Sequence, residues 1–513
     1  MRFRFSLSSA IHLLSTCISS LLLAGVSEAT SVSHAPKVVF VSENGSDWSG
    51  DGSREHPWAS LAHACKEVTS PESEILLLPG SYMETTPCKL VSGVNIVGAG
   101  PNNTIVRSRL NNWLIFAVSQ KIESGAQQIS GFTIDGVDRS LRHGILVQRR
   151  HNVEISNMVF REIDEGAIQV VGEGSTDGKG APHAYVHGIT ISENSFVNCA
   201  KDYETWSGGC VQIGHLDGGR IFNNRIKENI GAGIKQWAGG WFKRTKVYGN
   251  QIEVPSSDKA WGADISIELW NVSDDCQVYG NTTNSWISLV LGSKGKGAYS
   301  VRAYDNTIRA SSVNKKEAIE LAGVSDAEIF GNRIDGAMYG VAMWNLPHDR
   351  LSKNNIIHHN IIANRSDGEG IRIHRGDDTE IYNNTFINLN RALGLHPTPR
   401  NIYDTKFINN LLVNVRLGIV TIAHDNAIVN TIVRRNNFYK VVQSIAEWGR
   451  RKTVVQQMDN ISLSPDPMDN DHKMGEAYFL DSALSPLADK GVDVGLPYCG
   501  QSPDIGAHEW CGE

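Results

Sequence analysis

A short phrase built around asparagine recurs along most of the chain. It reads "ITISEN", "RIFNNRI", "KVYGNQI", "RAYDNTI", "AEIFGNRI" and "TEIYNNTF" at successive places. The asparagines assigned to comparable positions are Asn157, Asn194, Asn224, Asn250, Asn281, Asn306, Asn332, Asn360, Asn384, Asn410 and Asn437. Most neighbours are separated by roughly 24 to 31 residues, a spacing typical of folds in which supersecondary units stack. The repeat therefore favours a solenoid.

A second phrase falls between these asparagines and reads "GCVQIG", "GIKQWA", "EAIELA", "GVAMWN" and "GIRIHR". Each repeat thus holds two short strands of alternating apolar residues and a turn. One such unit cannot bury its own apolar face, so the units must stack. An asparagine at a fixed corner can then hydrogen-bond its equivalents above and below, which satisfies amides that are costly to bury alone. The pattern predicts an all-β fold, a right-handed parallel β-helix with a structural asparagine ladder.

The first residues have the layout of a secretory signal peptide. Arg2 and Arg4 precede a mostly apolar stretch that ends in small residues at Ala29. We therefore expect residues 1–29 to be removed, a mature chain that begins near Thr30, and a secreted protein, extracellular or periplasmic. No other segment of the sequence is long and apolar enough to span a membrane. A net charge of -7 gives no basic excess of the kind that nucleic-acid-binding proteins show.

Seven of the eight cysteines lie after this signal segment, so they cannot all pair within the chain. Export permits disulfides. The close pairs in sequence are Cys65–Cys88, Cys199–Cys210 and Cys499–Cys511, which leaves Cys276 as the free thiol. No CxxC spacing suggests a structural zinc site, so we expect no metal bound by these cysteines.

Both ends of the chain resemble those of secreted bacterial β-helix proteins. The opening stretch "VFVSENGSDWSGDGSREHPWASLAHACKEV" and the closing stretch "SPLADKGVDVGLPYCGQSPDIGAHEW" carry the likeness. It implies the pectate-lyase-like superfold and a carbohydrate-active protein, without identifying a specific family. We expect a β-helix domain over residues 30–440, with a helical cap at residues 58–68 over its open N-terminal end, and an irregular capping segment over residues 441–513. A monomer is expected.

Strand alternation predicts which side chains face outward. In "GIRIHR" the two isoleucines face the core, and Arg372 and His374 face solvent. Equivalent positions in other repeats form two outward rows. The first holds Gln169, Gln212, Lys235, Ser266, Glu320, Ala342, Arg372 and Gly394, and the second holds Gly214, Trp237, Glu268, Ala322, Trp344, His374 and His396. Aromatic and charged groups concentrated in this way predict a groove that binds a polysaccharide.

The cationic residues favour a lyase that cleaves an acidic, uronate-containing polysaccharide by β-elimination. Arg372 and Lys235 are the candidates for neutralising the uronate carboxylate, and His374 is the candidate base. Trp237, Trp344, His396 and Gln212 are the candidate substrate-binding residues. An inverting glycoside hydrolase is an alternative, since Glu268 and Glu320 would lie two turns apart if "WISLVLGS" forms a full turn.

Two further alternatives stay open. "NLPHDR" resembles the Pro-His-Asp core of a motif in mannuronan C5-epimerases, which implies a uronan C5-epimerase with His348 as base, although Leu346 stands where that motif has Asp. A non-catalytic glycan-binding surface protein would use the tryptophans alone. The cofactor is unknown from sequence. Calcium is a candidate because Asp377 and Asp378 are adjacent, but they form no clear site.

Overall fold

The computed structural model is a right-handed parallel β-helix of about 13 turns. It describes residues 37–511, apart from residues 139, 175–180, 201–207, 228–230, 255–263, 291–297, 312–315, 345–351, 452 and 466–484. Strands of successive turns pair in parallel, and each turn contributes to three sheets that we call first, second and third in chain order. The predicted fold class is confirmed.

In chain order, the strands of the first sheet come directly before the asparagines of the ladder. Its strands are Val38–Val41, Glu74–Leu77, Asn95–Gly98, Thr190–Ser192, Arg220–Phe222, Lys246–Tyr248, Cys276–Tyr279, Val301–Tyr304, Glu328–Phe330, Ile356–His358, Glu380–Tyr382, Lys406–Ile408, Ile428–Arg434 and Thr453–Met458. The second sheet follows the ladder. Its strands are Gly80–Glu84, Thr104–Ser108, Thr133–Asp135, Val159–Ile163, Ser195–Cys199, Arg225–Lys227, Gln251–Ile252, Thr282–Thr283, Thr307–Arg309, Arg333–Asp335, Leu411–Val413 and Asn437–Tyr439.

The third sheet completes each turn. Its strands are Cys88–Lys89, Ile168–Val171, Gly209–Gly214, Ala232–Gln236, Ile265–Trp270, Trp286–Val290, Glu317–Ala322, Tyr339–Trp344, Leu417–Ala423 and Gln443–Gly449. Four long strands bend from one sheet into the next, namely Trp113–Ser130, His143–Ser156, Ile361–Ile373 and Thr385–Leu395. Short corner strands lead back to the first sheet, namely Val186–His187, Leu216–Asp217, Phe242–Lys243, Val272–Ser273, Ala298–Tyr299, Val324–Ser325 and Ile402–Tyr403.

An asparagine ladder runs between the first and second sheets. In each step the side-chain oxygen of one asparagine accepts hydrogen bonds from the backbone N–H and the Nδ2 of its neighbour, as between Asn332 and Asn306 at 3.1 and 2.9 Å. The ladder members are Asn194, Asn224, Asn250, Asn281, Asn306, Asn332, Asn360, Asn384, Asn410, Asn436 and Asn460. These side chains satisfy one another inside the coil.

Two asparagines were placed in the ladder wrongly by the sequence pattern. Asn157 precedes the ladder position, because Asn194 accepts a hydrogen bond from the backbone N–H of Met158. Asn437 follows it, and Asn436 is the member that bonds Asn410. Asn436 and Asn437 are adjacent asparagines that only the hydrogen-bonding register distinguishes. Beside Asn157 the ladder position is held by the apolar Met158, so the ladder itself begins at Asn194.

The one helix among the described residues is Leu61–Glu67, shorter than the predicted range of 58–68. Ser60 caps it by accepting from the backbone N–H of His63 at 3.2 Å, and Glu84 accepts from the backbone N–H of Leu61 at 2.7 Å. The helix buries Leu61, Ala64 and Cys65 against the first strands. That it covers the open end of the coil stays a prediction, and the predicted signal peptide lies outside the described residues.

The C-terminal residues pack along the side of the second sheet. Leu487 and Ile505 join a buried cluster with Ile387, Leu411 and Val413. The backbone of this segment bonds ladder-flanking side chains, with Asn383 donating to the carbonyl of Asp504 at 2.8 Å. The predicted segment 441–513 also includes two strands of the stack, Gln443–Gly449 and Thr453–Met458. The domain boundaries themselves stay a prediction.

The described residues form three disulfides, which are the predicted pairs Cys65–Cys88, Cys199–Cys210 and Cys499–Cys511. Cys276 is free, as predicted, and its side chain is buried. The described residues contain no helix that is both long enough and apolar enough to cross a membrane.

Candidate functional site

Two rows of side chains run along the outer face of the third sheet, which we call the site face. Parallel pairing puts equivalent residues of successive turns side by side, about 4.8 Å apart. Row one contains Gln169, Gln212, Lys235, Glu268, Ser288, Glu320, Ala342, Arg372 and Gly394. Row two contains Trp270, Val290, Ala322, Trp344, His374 and His396. Trp237 is the residue after Gln236, the last paired residue of its strand. It adds the turn before Trp270 to row two.

The predicted place of Glu268 in row two is wrong, and so is that of Ser266 in row one. Ile234 pairs with Ile267, which puts Glu268 beside Lys235 in row one. The strand has an irregularity between Ile265 and Ile267, so counting alternate residues from its start gives the wrong row. The described part of "WISLVLGS", the strand Trp286–Val290, does add a turn between those of Glu268 and Glu320, because Glu268 pairs with Ser288, which pairs with Glu320.

Lys235 and Glu268 are buried, which contradicts their predicted exposure on an open groove. Only 1% of Lys235 and 3% of Glu268 is exposed, and their charged atoms lie 4.0 Å apart. Burial raises the pKa of Glu268 to about 7, although the Lys235 ammonium opposes that rise. Gln212, at 3% exposed, is equally inaccessible. The N-terminal half of row one is thus a buried polar layer.

The sequence pattern did not predict three residues that contribute to the site face. Glu317, Glu369 and Arg391 precede the strand positions at which alternation was counted, and alternation would point them into the core. The Trp344 indole N–H instead donates to Glu317 at 3.2 Å, and Glu369 pairs with Arg391 and Arg372. A column of small, buried residues lies between these side chains and the regular part of each strand. At this column the chain bends, so the alternation of inward and outward side chains is displaced by one residue. This signal was visible in the sequence as Ala318, Gly340, Gly370, Ala392 and Gly418.

Glu320 is the carboxyl of row one that is partly accessible. Its side chain accepts a hydrogen bond from the Ser288 hydroxyl. Burial, together with the nearby Glu317 carboxyl, raises the pKa of Glu320 to about 8. Burial also raises the pKa of Glu317. Near neutral pH Glu320 is therefore protonated, so it can donate a proton and does not repel an anionic ligand.

Replacing Glu320 by Gln should reduce the pH dependence of stability. A carboxyl whose pKa is raised by folding contributes stability below its unfolded pKa, and this contribution is lost as pH rises through about 8. We expect the wild type to lose on the order of 1–3 kcal/mol more than Glu320→Gln between pH 5 and 8, measured by denaturant unfolding. The exposed Glu55→Gln should behave like the wild type. Identical pH profiles for wild type and Glu320→Gln would contradict this pKa assignment.

His374 lies between two aromatic neighbours in row two. Its ring is 4.6 Å from that of Trp344 and 5.2 Å from that of His396. Burial, reinforced by the charge of Arg372, lowers the pKa of His374 to about 4. Its Nε2 is buried and has no hydrogen-bond partner among the described residues. The imidazole is therefore neutral at neutral pH and able to accept a proton.

Arg372 is positioned by aromatic rings and by a carboxylate. Its guanidinium lies 4.6 Å from the Tyr339 ring centre and 5.7 Å from that of Trp344, and 3.7 Å from the Glu369 carboxylate. Burial acts to raise the pKa of Glu369, but hydrogen bonding to His396 and the charges of Arg372 and Arg391 hold it below its ordinary value. The cluster keeps a net positive charge, which suits an anionic ligand.

Small residues in row one open space beside these groups. Ala342 stands between Glu320 and Arg372, and Gly394 follows Arg372. A Cβ on Gly394 would lie 2.6 Å from a Glu369 carboxylate oxygen and 2.7 Å from His396 Nε2. Because Gly394 has no side chain, the Glu369 carboxylate and the His396 Nε2 can approach each other to 3.3 Å.

The remaining candidates lie elsewhere or outside the described part of the chain. His348 and Leu346 fall in the segment 345–351, which is not described. Asp377 and Asp378 lie at the corner that follows row two, where Asp377 pairs with Tyr403 and Asp378 is exposed. Within the described ranges no group of three His, Cys, Asp or Glu side chains is arranged to hold a metal. A role for calcium stays a prediction.

Comparison with known proteins supports the fold and leaves the family open. A family model described as periplasmic copper-binding protein (NosD) matches residues 280–405, less than half of the chain. A comparison with curated protein sequences found no match.

Several solved structures are similar at low sequence identity. A tailspike protein variant of the E. coli bacteriophage HK620 gives a TM-score of 0.51 at 12% identity, covering 82% of this chain and 78% of its own. An α-1,3-glucanase catalytic unit from Streptomyces thermodiastaticus gives 0.42 at 13% identity, covering 76% and 63%. A mannuronan C-5 epimerase A-module of Azotobacter vinelandii gives 0.39 at 12% identity, covering 77% and 92%. At such identities the tailspike likeness shows the parallel β-helix fold alone.

Proposed function

We propose that the site face between Glu320 and His396 binds an acidic polysaccharide and cleaves it by β-elimination. The observation that carries this proposal is the position of the His374 imidazole, between the rings of Trp344 and His396 and in the same turn as the Arg372 guanidinium. Burial and the Arg372 charge lower the pKa of His374, which favours its neutral form. A base and a carboxylate-binding cation are the two groups that the reaction needs next to each other. The three disulfides agree with an exported protein.

Each group has a role in the reaction. Arg372 binds the uronate carboxylate and offsets the charge that develops there. His374 takes the proton on the carbon next to that carboxylate, and the electron pair of the C–H bond forms a carbon–carbon double bond as the bond to the glycosidic oxygen breaks. The protonated Glu320 gives its proton to that oxygen. Trp344, between the two in the stack, offers an aromatic face to a sugar ring.

An inverting hydrolase is the second candidate, favoured by the raised pKa of Glu320, which suits a general acid. Its partner in that mechanism, Glu268, is only 3% exposed and lies against Lys235. A carboxyl so enclosed is poorly placed to activate a water molecule beside a sugar. Accessibility therefore favours elimination.

The decisive experiment incubates the exported protein with polygalacturonate, alginate and hyaluronan. A rise in both ultraviolet absorbance and reducing ends supports a lyase, because elimination creates a conjugated double bond. New reducing ends without absorbance would replace this proposal by the hydrolase. Solvent deuterium incorporated without cleavage would indicate an epimerase, and binding without any reaction would indicate a non-catalytic glycan-binding protein.

Replacing Trp344 by Ala should weaken substrate binding more than it slows the chemical step. The lost stacking is worth roughly 1–2 kcal/mol, which corresponds to about a tenfold rise in KM. Steady-state kinetics on the polymer that the wild type cleaves will measure this. Trp48→Ala is the matched control, because Trp48 is 97% exposed in the N-terminal segment, away from the site face. An unchanged KM in Trp344→Ala would remove Trp344 from the substrate path.

A further inference from the structure

We infer that the polysaccharide path extends to a distal subsite for an anionic sugar at Trp448 and Arg391, on the last turns of the third sheet. This inference rests on the proposed function and deepens it, because it predicts that the bound chain runs along row two and that its affinity depends on its length. Trp448 was not among the residues that the sequence pattern singled out.

Row two continues past His396 without interruption. Leu395 pairs with Thr421, which places Ile422 next to His396, and Ile422 pairs with Trp448. Trp448 is thus three turns beyond His374, a distance of roughly 14 Å along the coil axis at the strand spacing of a sheet. Trp448 is 42% exposed, so part of its indole is free to contact a ligand. A glycan lying along row two would pass from Trp344 over His374 to this second tryptophan.

Arg391 links Trp448 to the candidate active site. Its guanidinium lies 4.9 Å from the Trp448 ring centre. The same guanidinium pairs with Glu369, which also contacts Arg372 and His396. The Arg391 Nε is buried and has no hydrogen-bond partner among the described residues. One carboxylate thus fixes both arginines, so the two cationic positions have a set spacing on the site face.

The charged residues near Trp448, at the end of row two, indicate which kind of sugar the distal subsite binds. Arg450 and Arg451 follow Trp448 after one intervening residue, Gly449, and are exposed. Both of their backbone N–H groups donate to the carbonyl of Ala423 at 2.9 Å. An exposed tryptophan with several arginines suits a sugar ring that carries a carboxylate, because the ring stacks on the indole and the anion pairs with a guanidinium. A neutral glycan would gain only the stacking.

The span between Arg372 and Trp448 sets the expected length dependence. Trp448 is three turns from the Arg372 turn, again roughly 14 Å, several times the length of one sugar ring. A short oligosaccharide bound at His374 cannot reach Trp448, whereas a longer one can. Affinity should therefore rise with chain length until the oligosaccharide reaches Trp448, and then level off.

The test measures binding of size-fractionated uronate oligosaccharides, prepared from the polymer that the wild type binds, to His374→Ala protein so that no cleavage occurs. Isothermal titration should show affinity that rises with length. Adding Trp448→Ala should lower the affinity for long oligosaccharides roughly tenfold and leave disaccharide affinity unchanged. Adding Trp48→Ala instead should change neither. Binding of the long oligosaccharides should also weaken with added salt, as expected for pairing with arginine.

The outcomes separate this inference from the proposed function. If no uronate oligosaccharide or polymer binds the parent protein, the proposed function fails. If oligosaccharides bind but Trp448→Ala leaves the length dependence unchanged, only the distal subsite is refuted. If Trp448→Ala lowers the affinity for all lengths equally, Trp448 stabilises the fold or contacts the central site, and the distal subsite is refuted as well. A concentration-dependent change of molecular mass that Trp448→Ala abolishes would make the surface an interface between two copies of the chain, which also overturns the inference.

Discussion

His374→Ala should lower the rate of β-elimination by about two to four orders of magnitude, the usual contribution of a general base. The wild-type rate should rise as pH increases through about 4, because His374 must be neutral, and fall above about 8, because Glu320 must be protonated. Initial rates of absorbance increase between pH 3 and 10 measure both limbs. The sign follows from burial, which disfavours the charged form of both groups.

Two control variants make this prediction specific. His187→Ala, on an exposed histidine of a corner strand, should keep the wild-type rate and pH profile. Glu320→Gln should be slow at every pH and lack the fall near pH 8, since it carries no titrating carboxyl. An acidic limb near the ordinary histidine pKa of about 6.5 would show that His374 is more solvated than the structure has it. Full activity of His374→Ala would exclude it as the base.

Asn306→Ala should destabilise the β-helix by about 2–4 kcal/mol without touching the site face. The side chain is fully buried, donates to the carbonyl of Val278 and to Asn332, and accepts from Asn281. Its removal leaves buried donors and acceptors of both neighbouring turns without partners, and this costs more than the lost hydrogen bonds themselves. A lower midpoint of chemical unfolding is the expected result.

The matched control is an asparagine of a second, exposed ladder. Asn388 donates to Asn364 at 2.9 Å and accepts from Asn414 at 2.7 Å, but in contact with water. Its backbone has a positive φ of 52°, so glycine is the replacement that avoids strain. Asn388→Gly should lower stability by less than about 1 kcal/mol, since water replaces the lost partners. If both variants lost the same free energy of unfolding, burial would not determine how much an asparagine ladder stabilises the fold.

Most of the architecture could be predicted from the sequence because a stacked fold repeats its local requirements in every turn. Asn250, Asn281 and Asn306 recur once in each turn, since each must meet the equivalent asparagine of the neighbouring turn. The apolar residues of "GIRIHR" alternate since one side of the strand faces the core. The disulfide pairs followed from closeness in sequence and an exported context. Errors of one residue arose at Asn437, where two adjacent asparagines compete for one position, and at Asn157, where the ladder register falls on the apolar Met158.

The tertiary structure alone decided which of the outward residues are accessible and which of them meet. Alternation separates the core from the outer side of a strand, but it does not reveal that Lys235 and Glu268 are enclosed while Arg372 and His374 are only partly covered. It also fails where the chain bends, so Glu369 and Arg391 were missed. Sequence therefore determined the coil, whose contacts repeat from turn to turn, whereas the site depends on side chains from different turns, and their burial and pairing are set only once those turns are stacked.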